Sequence, residues 1–103
     1  MKIGFVNGCF DVLHVGHIEM LEYAKSLCDH LIVAVDADTR VKAAKGRDRP
    51  FNTAKDRKRL LAALRTVDGT AEFSTDDELE DLVKRLNPDV MVVGSDWEGK
   101  KVI

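Results

Sequence analysis

KIGFVNGCFDVLHVGHIEMLEYA, residues 2–24, is the stretch whose reading decides the fold. KIGFV at 2–6 is a short apolar run closed by Asn7-Gly8, a pattern that predicts a buried strand. From Val15 the period changes. Ile18, Leu21, Ala24 and Cys28 recur at helical spacing, and Met20 and Leu27 widen the stripe. A strand that hands over to an amphipathic helix is the first half of a β-α-β unit. Between the two lie Gly8, Cys9, Asp11, His14, Gly16 and His17, a mixture that core packing does not ask for.

Outward from this stretch the alternation continues. LIVAV at 31–35 is a β-branched run of strand length, followed by DADTRVKAAKGRDRP at 36–50, basic and closed by Gly46 and Pro50. That segment is expected to be a loop carrying one helical turn. Thr53-x-x-Asp56 has the form of a capping box and opens a helix bearing Leu60, Leu61 and Leu64. Thr75-x-x-Glu78 opens another, with Leu79, Leu82, Val83 and Leu86 on one stripe and Asn87-Pro88 to stop it. A weaker strand is expected near 70–73, and DVMVV at 89–93 forms the next, ending at Gly94. Strands alternating with helices predict a mostly parallel sheet with right-handed crossovers. Residues 1–103 are therefore expected to form a single three-layer α/β domain, without repeat, linker or low-complexity segment.

Composition narrows the partners. With 45% apolar and 33% charged residues the chain is globular in character, and a net charge of −2 gives no reason to expect nucleic acid or an anionic membrane. No run of about 18 apolar residues exists, and MKIGFVNG lacks the apolar core of a signal peptide. Cys9 and Cys28 form no metal-type pair and suit a reducing, cytoplasmic setting.

Ligands of parallel α/β sheets gather outside the carboxyl ends of the strands. Asn7 to His17, Asp36 to Lys45 and Gly94 to Lys100 all fall there. A helix N-terminus offers unpaired N–H groups and a partial positive charge, which favours phosphate. Gly8 and Gly16 let backbone come close to a ligand. His14 and His17, three apart, share one side of a helical turn and can donate to phosphate oxygens. Neither a G-x-G-x-x-G fingerprint nor a P-loop follows the first strand. A zinc site from Cys9, Asp11, His14 and His17 is the competing reading, against which stands the usual i, i+4 spacing of helical zinc histidines.

GCFDVLHVGH, residues 8–17, resembles the H-x-G-H motif of the cytidylyltransferase-like nucleotidyltransferase superfamily. Residues 43–68, AAKGRDRPFNTAKDRKRLLAALRTVD, and 73–97, FSTDDELEDLVKRLNPDVMVVGSDW, are similar to the adenylyltransferase domain of bacterial heptose 1-phosphate adenylyltransferases. GSDWEGK at 94–100 looks more like glycerol-3-phosphate cytidylyltransferase. The resemblance implies a Rossmann-like α/β domain. It also implies transfer of a nucleoside monophosphate from ATP, or from CTP, to a sugar or polyol phosphate, with release of pyrophosphate. A non-catalytic nucleotide-binding module is the alternative of a different class.

Carried over by position, the resemblance gives His14, His17 and Lys45 the catalytic handling of the triphosphate. Asn7, Gly8, Cys9, Phe10, Asp11, Gly16, Gly94 and Asp96 would bind the nucleotide, with Asp11 organising the site. Arg57, Arg65 and Asp38 would serve the acceptor's phosphate, and Asp68 also matches the pattern. Mg²⁺ is the implied cofactor and a homodimer the implied assembly. Plain chemistry offers rival explanations for several of these. Lys45 is one of four cations among Lys42, Lys45, Arg47 and Arg49, Asp38 can cap a helical turn, and Asp68-Gly69 can simply turn the chain. Trp97 suits stacking and packing equally. Relatives carry a second motif, resembling I-S-T-T-K/R, that opens a last helix. The chain stops at GKKVI before any such motif, so a C-terminal strand and helix are expected to be missing.

Overall fold

The computed structural model describes residues 1–93. Its elements run β1 (Ile3–Gly8), α1 (Val15–Ser26), β2 (His30–Asp36), α2 (Asp38–Lys45), α3 (Ala54–Ala62), β3 (Gly69–Phe73), α4 (Asp76–Leu86) and β4 (Val90–Val93). The four strands form one parallel sheet in the order β3-β2-β1-β4. Residues 94–103, including the expected site residues Gly94 and Asp96, lie outside the described residues.

Period-two alternation builds the layers. Leu31, Val33 and Val35 of β2, with Val6 of β1 and Val92 of β4, face Met20, Leu21 and Ala24 of α1 and Ala54 and Leu61 of α3. Phe5, Ala34 and Phe73 face the other way, against Leu79, Leu82, Val83 and Leu86 of α4. The sheet is thus sandwiched. β1 to β2 and β2 to β3 step in one direction and place their helices on one face. The return from β3 to β4 runs the opposite way and puts α4 on the other, as right-handed crossovers require.

That return creates the feature that positions the site. β1 lies between β2 and β4, pairing Gly8 with Val35 on one side and Asn7 with Val93 on the other. Chain direction diverges at this point, so a crevice opens at the carboxyl end of β1.

The helix ends follow their local chemistry. Thr53 Oγ1 accepts from Asp56 N at 3.2 Å and Thr75 Oγ1 from Glu78 N at 3.1 Å, so both expected caps form. Asn87 closes α4 in the left-handed conformation, φ 47°, with its N–H on Val83 O. One expectation needs correction. The stretch after β2 is not a loop with a single turn but an eight-residue helix, α2, held by Val41 buried against the body and closed by Gly46 at φ 107°.

Candidate active site

Beyond Gly8 the chain turns sharply at Phe10, φ 52°, and enters α1 through His14. Phe10 is buried, and its ring occupies the space a side chain at residue 8 would need. A Cβ on Gly8 would come within 2.9 Å of Phe10 Cε2. Glycine there leaves room to seat the Phe10 ring. Phe10 in turn supports His17, ring centroids 5.1 Å apart.

His14 is the N-cap of α1. Its Nδ1 accepts from Gly16 N at 3.1 Å, and His17 Nδ1 accepts from His14 N at 3.2 Å. This is a capping box written in histidine. An imidazole nitrogen that accepts carries no proton, so each neutral ring holds its hydrogen on Nε2. Capping and ligand binding therefore use different atoms of the same side chain. Gly16 makes room for the arrangement, since a Cβ there would meet His14 Cε1 at 2.9 Å. Burial, and then the neighbouring His14, lower the His17 pKa below 6.5, which favours the neutral, Nε2-protonated ring.

Both imidazoles line a cavity of about 250 Å³ together with Cys9, Phe10, Asp11, Val12, Lys45 and Arg49. Lys45 is the last residue of α2. The first turn of α1 contains no acidic residue to neutralise its positive end. Cations, imidazole donors and a helix N-terminus around one small space are groups whose chemistry favours an anion such as phosphate.

Asp11 is the fastening of the site. It is 6% exposed, and its carboxylate accepts from Phe51 N and Asn52 N, both at 2.9 Å, with Arg49 Nε at 3.4 Å. Burial opposes its ionisation, but the two N–H groups and the charges of Arg49 and Arg57 outweigh it and hold the pKa below 3.8. Asn52 Nδ2 returns a bond to Asp11 O at 2.6 Å.

The residues expected to serve the acceptor are placed differently. Arg57 is fully buried, with its guanidinium donating to Asn52 O, Cys9 O and Asp38 Oδ1. Asp38 Oδ1 also accepts from Ala54 N at 2.7 Å, which caps α3 from a distance. Neither lines the cavity. Arg65 follows α3, which runs back along the sheet, so it lies in the connection entering the amino end of β3. Asp68 is at that same end, bonded to Leu31 N at 2.7 Å and Lys25 Nζ at 2.6 Å. These two are away from the histidines because a helix antiparallel to its sheet returns the chain to the amino ends of the strands.

Arg49 is a lining residue that the sequence reading did not single out. It stacks on Phe51, 4.4 Å from the ring centroid, while reaching Asp11. Nothing in its spacing separates it from Arg47, and only Pro50 beside it hints at a fixed backbone.

Among the described residues no cluster of three or more His, Cys, Asp or Glu is placed to hold a metal ion, so the geometry does not assemble the zinc alternative. The same holds for Mg²⁺. Asp11, the carboxylate on the cavity, is committed to backbone N–H groups, so the described residues offer no metal cage.

A cleft lined by an H-x-G-H turn, at the carboxyl end of the first strand of a parallel sheet, defines a nucleotidyltransferase domain. The chain belongs to the cytidylyltransferase-like family, whose model matches residues 5–100. It is 52% identical over 102 residues to the bifunctional protein HldE of Sulfurimonas denitrificans, covering 99% of this chain and 21% of that protein. With the bifunctional protein HldE of Hyphomonas neptunium the identity is 47% over 103 residues, covering 100% and 21%. The chain thus spans about a fifth of the length of these curated relatives. Among solved structures, the lipopolysaccharide core biosynthesis protein from Thermoplasma volcanium GSS1 superposes with a TM-score of 0.80 at 28% identity, over 89% of this chain and 73% of that one. No helix among the described residues is long and apolar enough to cross a membrane.

Proposed function

We propose that this domain transfers an adenylyl group from ATP to a sugar 1-phosphate of the heptose class, releasing pyrophosphate. One observation carries the reading. The paired histidines each hold an Nε2–H over a cavity that Lys45, Arg49 and the start of α1 make positive. The HldE relatives and the lipopolysaccharide core biosynthesis neighbour support a sugar phosphate of surface polysaccharide as acceptor.

The chemistry asks little of the protein beyond position and charge. An acceptor phosphate oxygen, already anionic, attacks the α-phosphorus in line. The new P–O bond forms as the bond to the β-phosphate oxygen breaks, and that electron pair leaves with pyrophosphate. No protein nucleophile or strong base is required. Nε2–H donors fixed by their own caps need no reorganisation as charge builds on the α-phosphoryl oxygens, and each such donor is worth on the order of 100-fold in rate. Lys45 and Arg49 offset the charge of the β- and γ-phosphates. Any Mg²⁺ would be held by triphosphate oxygens and water and not by these residues, and would supply further positive charge.

The test is pyrophosphate release by the purified chain with Mg²⁺, ATP or CTP, and either heptose 1-phosphate or glycerol 3-phosphate. Release that needs ATP and heptose 1-phosphate together supports the proposal. Release with CTP and glycerol 3-phosphate overturns its substrate assignment. Nucleotide binding without release under any pairing would make the domain a binding module.

A further inference from the structure

We propose that Arg57 is a positioning residue for this reaction, a buried strut that sets the turn carrying Phe10 and His17, and that it does not hold the acceptor's phosphate. The proposal rests on reading the cavity as the phosphate site. Arg57 is 0% exposed although it stands in the first turns of a highly charged helix. Each guanidinium nitrogen makes one bond. Nε donates to Asn52 O at 3.0 Å, one terminal nitrogen to Cys9 O at 2.8 Å, and the other to Asp38 Oδ1 at 2.8 Å.

Those three acceptors belong to the three segments that wall the cavity. Cys9 opens the turn through Phe10 and Asp11. Asn52 follows Arg49 and closes the bonds to Asp11. Asp38 begins α2, whose last residue is Lys45. The Cys9 carbonyl matters most, because the next residue is the strained one. Phe10 holds φ 52°, and its ring lies under His17. Such a conformation persists only where its surroundings fix it. Here the fixing bonds are Arg57 to Cys9 O on one side of Phe10 and the Asn52 and Phe51 bonds to Asp11 on the other. A planar fork with three directed nitrogens can brace three segments at once, whereas a lysine ammonium cannot reproduce its geometry. At 0% exposure the guanidinium presents no surface to an acceptor phosphate.

The experiment compares Arg57→Lys, Asp38→Asn and Leu82→Ala with the unaltered chain, the last loosening the opposite face of the sheet. Readouts are thermal melting, kcat, KM for the acceptor, and the imidazole ¹H–¹⁵N resonances of His17. Arg57→Lys is expected to lower kcat on the order of 100-fold, as small displacements of catalytic groups do. It should also move the His17 resonances and leave acceptor KM within about twofold. Asp38→Asn, which keeps the Cys9 contact, gives the same shift in smaller measure and decides the matter if Arg57→Lys does not fold. Leu82→Ala lowers melting but alters neither kcat nor His17. A selective rise in acceptor KM with His17 unmoved would overturn the proposal, as would an Arg57→Lys profile matching that of Leu82→Ala. The His17 resonances need no substrate, so an inactive parent chain would sink the proposed reaction while leaving Arg57 still decided.

Discussion

The imidazoles of His14 and His17 stack with centroids 3.9 Å apart and planes 28° from parallel, each accepting a backbone N–H at its own Nδ1. A histidine at a helix start invites two explanations, as a cap or as a ligand for phosphate. The geometry makes them one. The bond that caps the helix also fixes the tautomer, and the tautomer decides which proton the ring presents to the cavity.

Replacing His14 by Asn separates the two duties. Asparagine is among the best N-cap residues, so Gly16 N keeps a partner and the melting temperature should stay near that of the parent. Its shorter amide cannot put a donor where Nε2–H stood. Turnover should therefore fall on the order of 100-fold with little change in stability. Parallel losses in turnover and melting would show that His14 acts only as a cap.

Gly16→Ala tests the fit of the same ring from the opposite side. Alanine is favoured over glycine inside a helix by up to about 1 kcal/mol. Its Cβ, however, would stand 2.9 Å from His14 Cε1 and 3.0 Å from Nδ1, so the imidazole must swing away. The lost cap bond offsets that helix gain. The expected result is therefore a chain of about the parent's stability in urea titration but with turnover reduced about tenfold or more, since misplacement by about 1 Å can cost 100-fold. Full activity in Gly16→Ala would mean that the position of His14 is not critical.

The layers of this domain could be read from the sequence because its strands are either buried on both faces or strictly alternating. LIVAV and the Val6 and Phe5 pair leave no other solution. The helix boundaries were equally local, with starts written in Thr53 and Thr75 and a stop in Asn87-Pro88. The histidine pair was legible too, since the spacing of two ring donors around a glycine is itself local. What sequence did not disclose was direction and depth. Nothing in KDRKR marks Arg57 as the one cation turned inward, because its acceptors, Cys9 O and Asp38, are 48 and 19 residues away. Arg65 shares the helical stretch of Arg57 by sequence but follows α3, at the amino end of the strands. The stretch after β2 read as a loop because α2 buries chiefly one residue, Val41, too few to make a stripe.

The pH behaviour of His17 follows from its depressed pKa. The folded ring binds a proton less readily than an unfolded histidine at 6.5, because burial and then His14 oppose the charge. Its contribution to stability is therefore complete above 6.5 and declines as pH falls from 6.5 toward the lower folded value. Protonation also turns Nδ1 from acceptor to donor, facing the His14 N–H it had received. An NMR titration should place His17 below 6.5, and the chain's urea midpoint should drop across the same interval. In His17→Gln that part of the drop should disappear. A His17 pKa at or above 6.5 would refute this account of the pair.

Asp11→Asn tests the fastening of the cavity wall and carries its own acid signature. The carboxylate accepts from Phe51 N and Asn52 N while nearly enclosed, and hydrogen bonds to a charged group contribute about 1.5–3 kcal/mol. An amide must turn an NH₂ toward one of those N–H groups, so one bond is lost and a repulsion replaces it. The variant should be destabilised by about 1.5–3 kcal/mol at pH 7. The pH dependence follows from the folded pKa, which lies below 3.8. Stability from Asp11 is present above 3.8 and lost as pH falls through the folded value. Asp68 acts in the same sense, since the Lys25 and Leu31 bonds outweigh its burial. Asp36, raised by burial against the pull of Arg40, Arg57 and Lys45, has the opposite sign: its contribution is complete below 3.8 and fades as pH rises through its folded value. Denaturation of the parent and of Asp11→Asn should thus differ most at neutral pH and converge in strong acid. A gap of constant size from neutral pH to strong acid would show that Asp11 stabilises the turn by shape alone, with no part played by its charge.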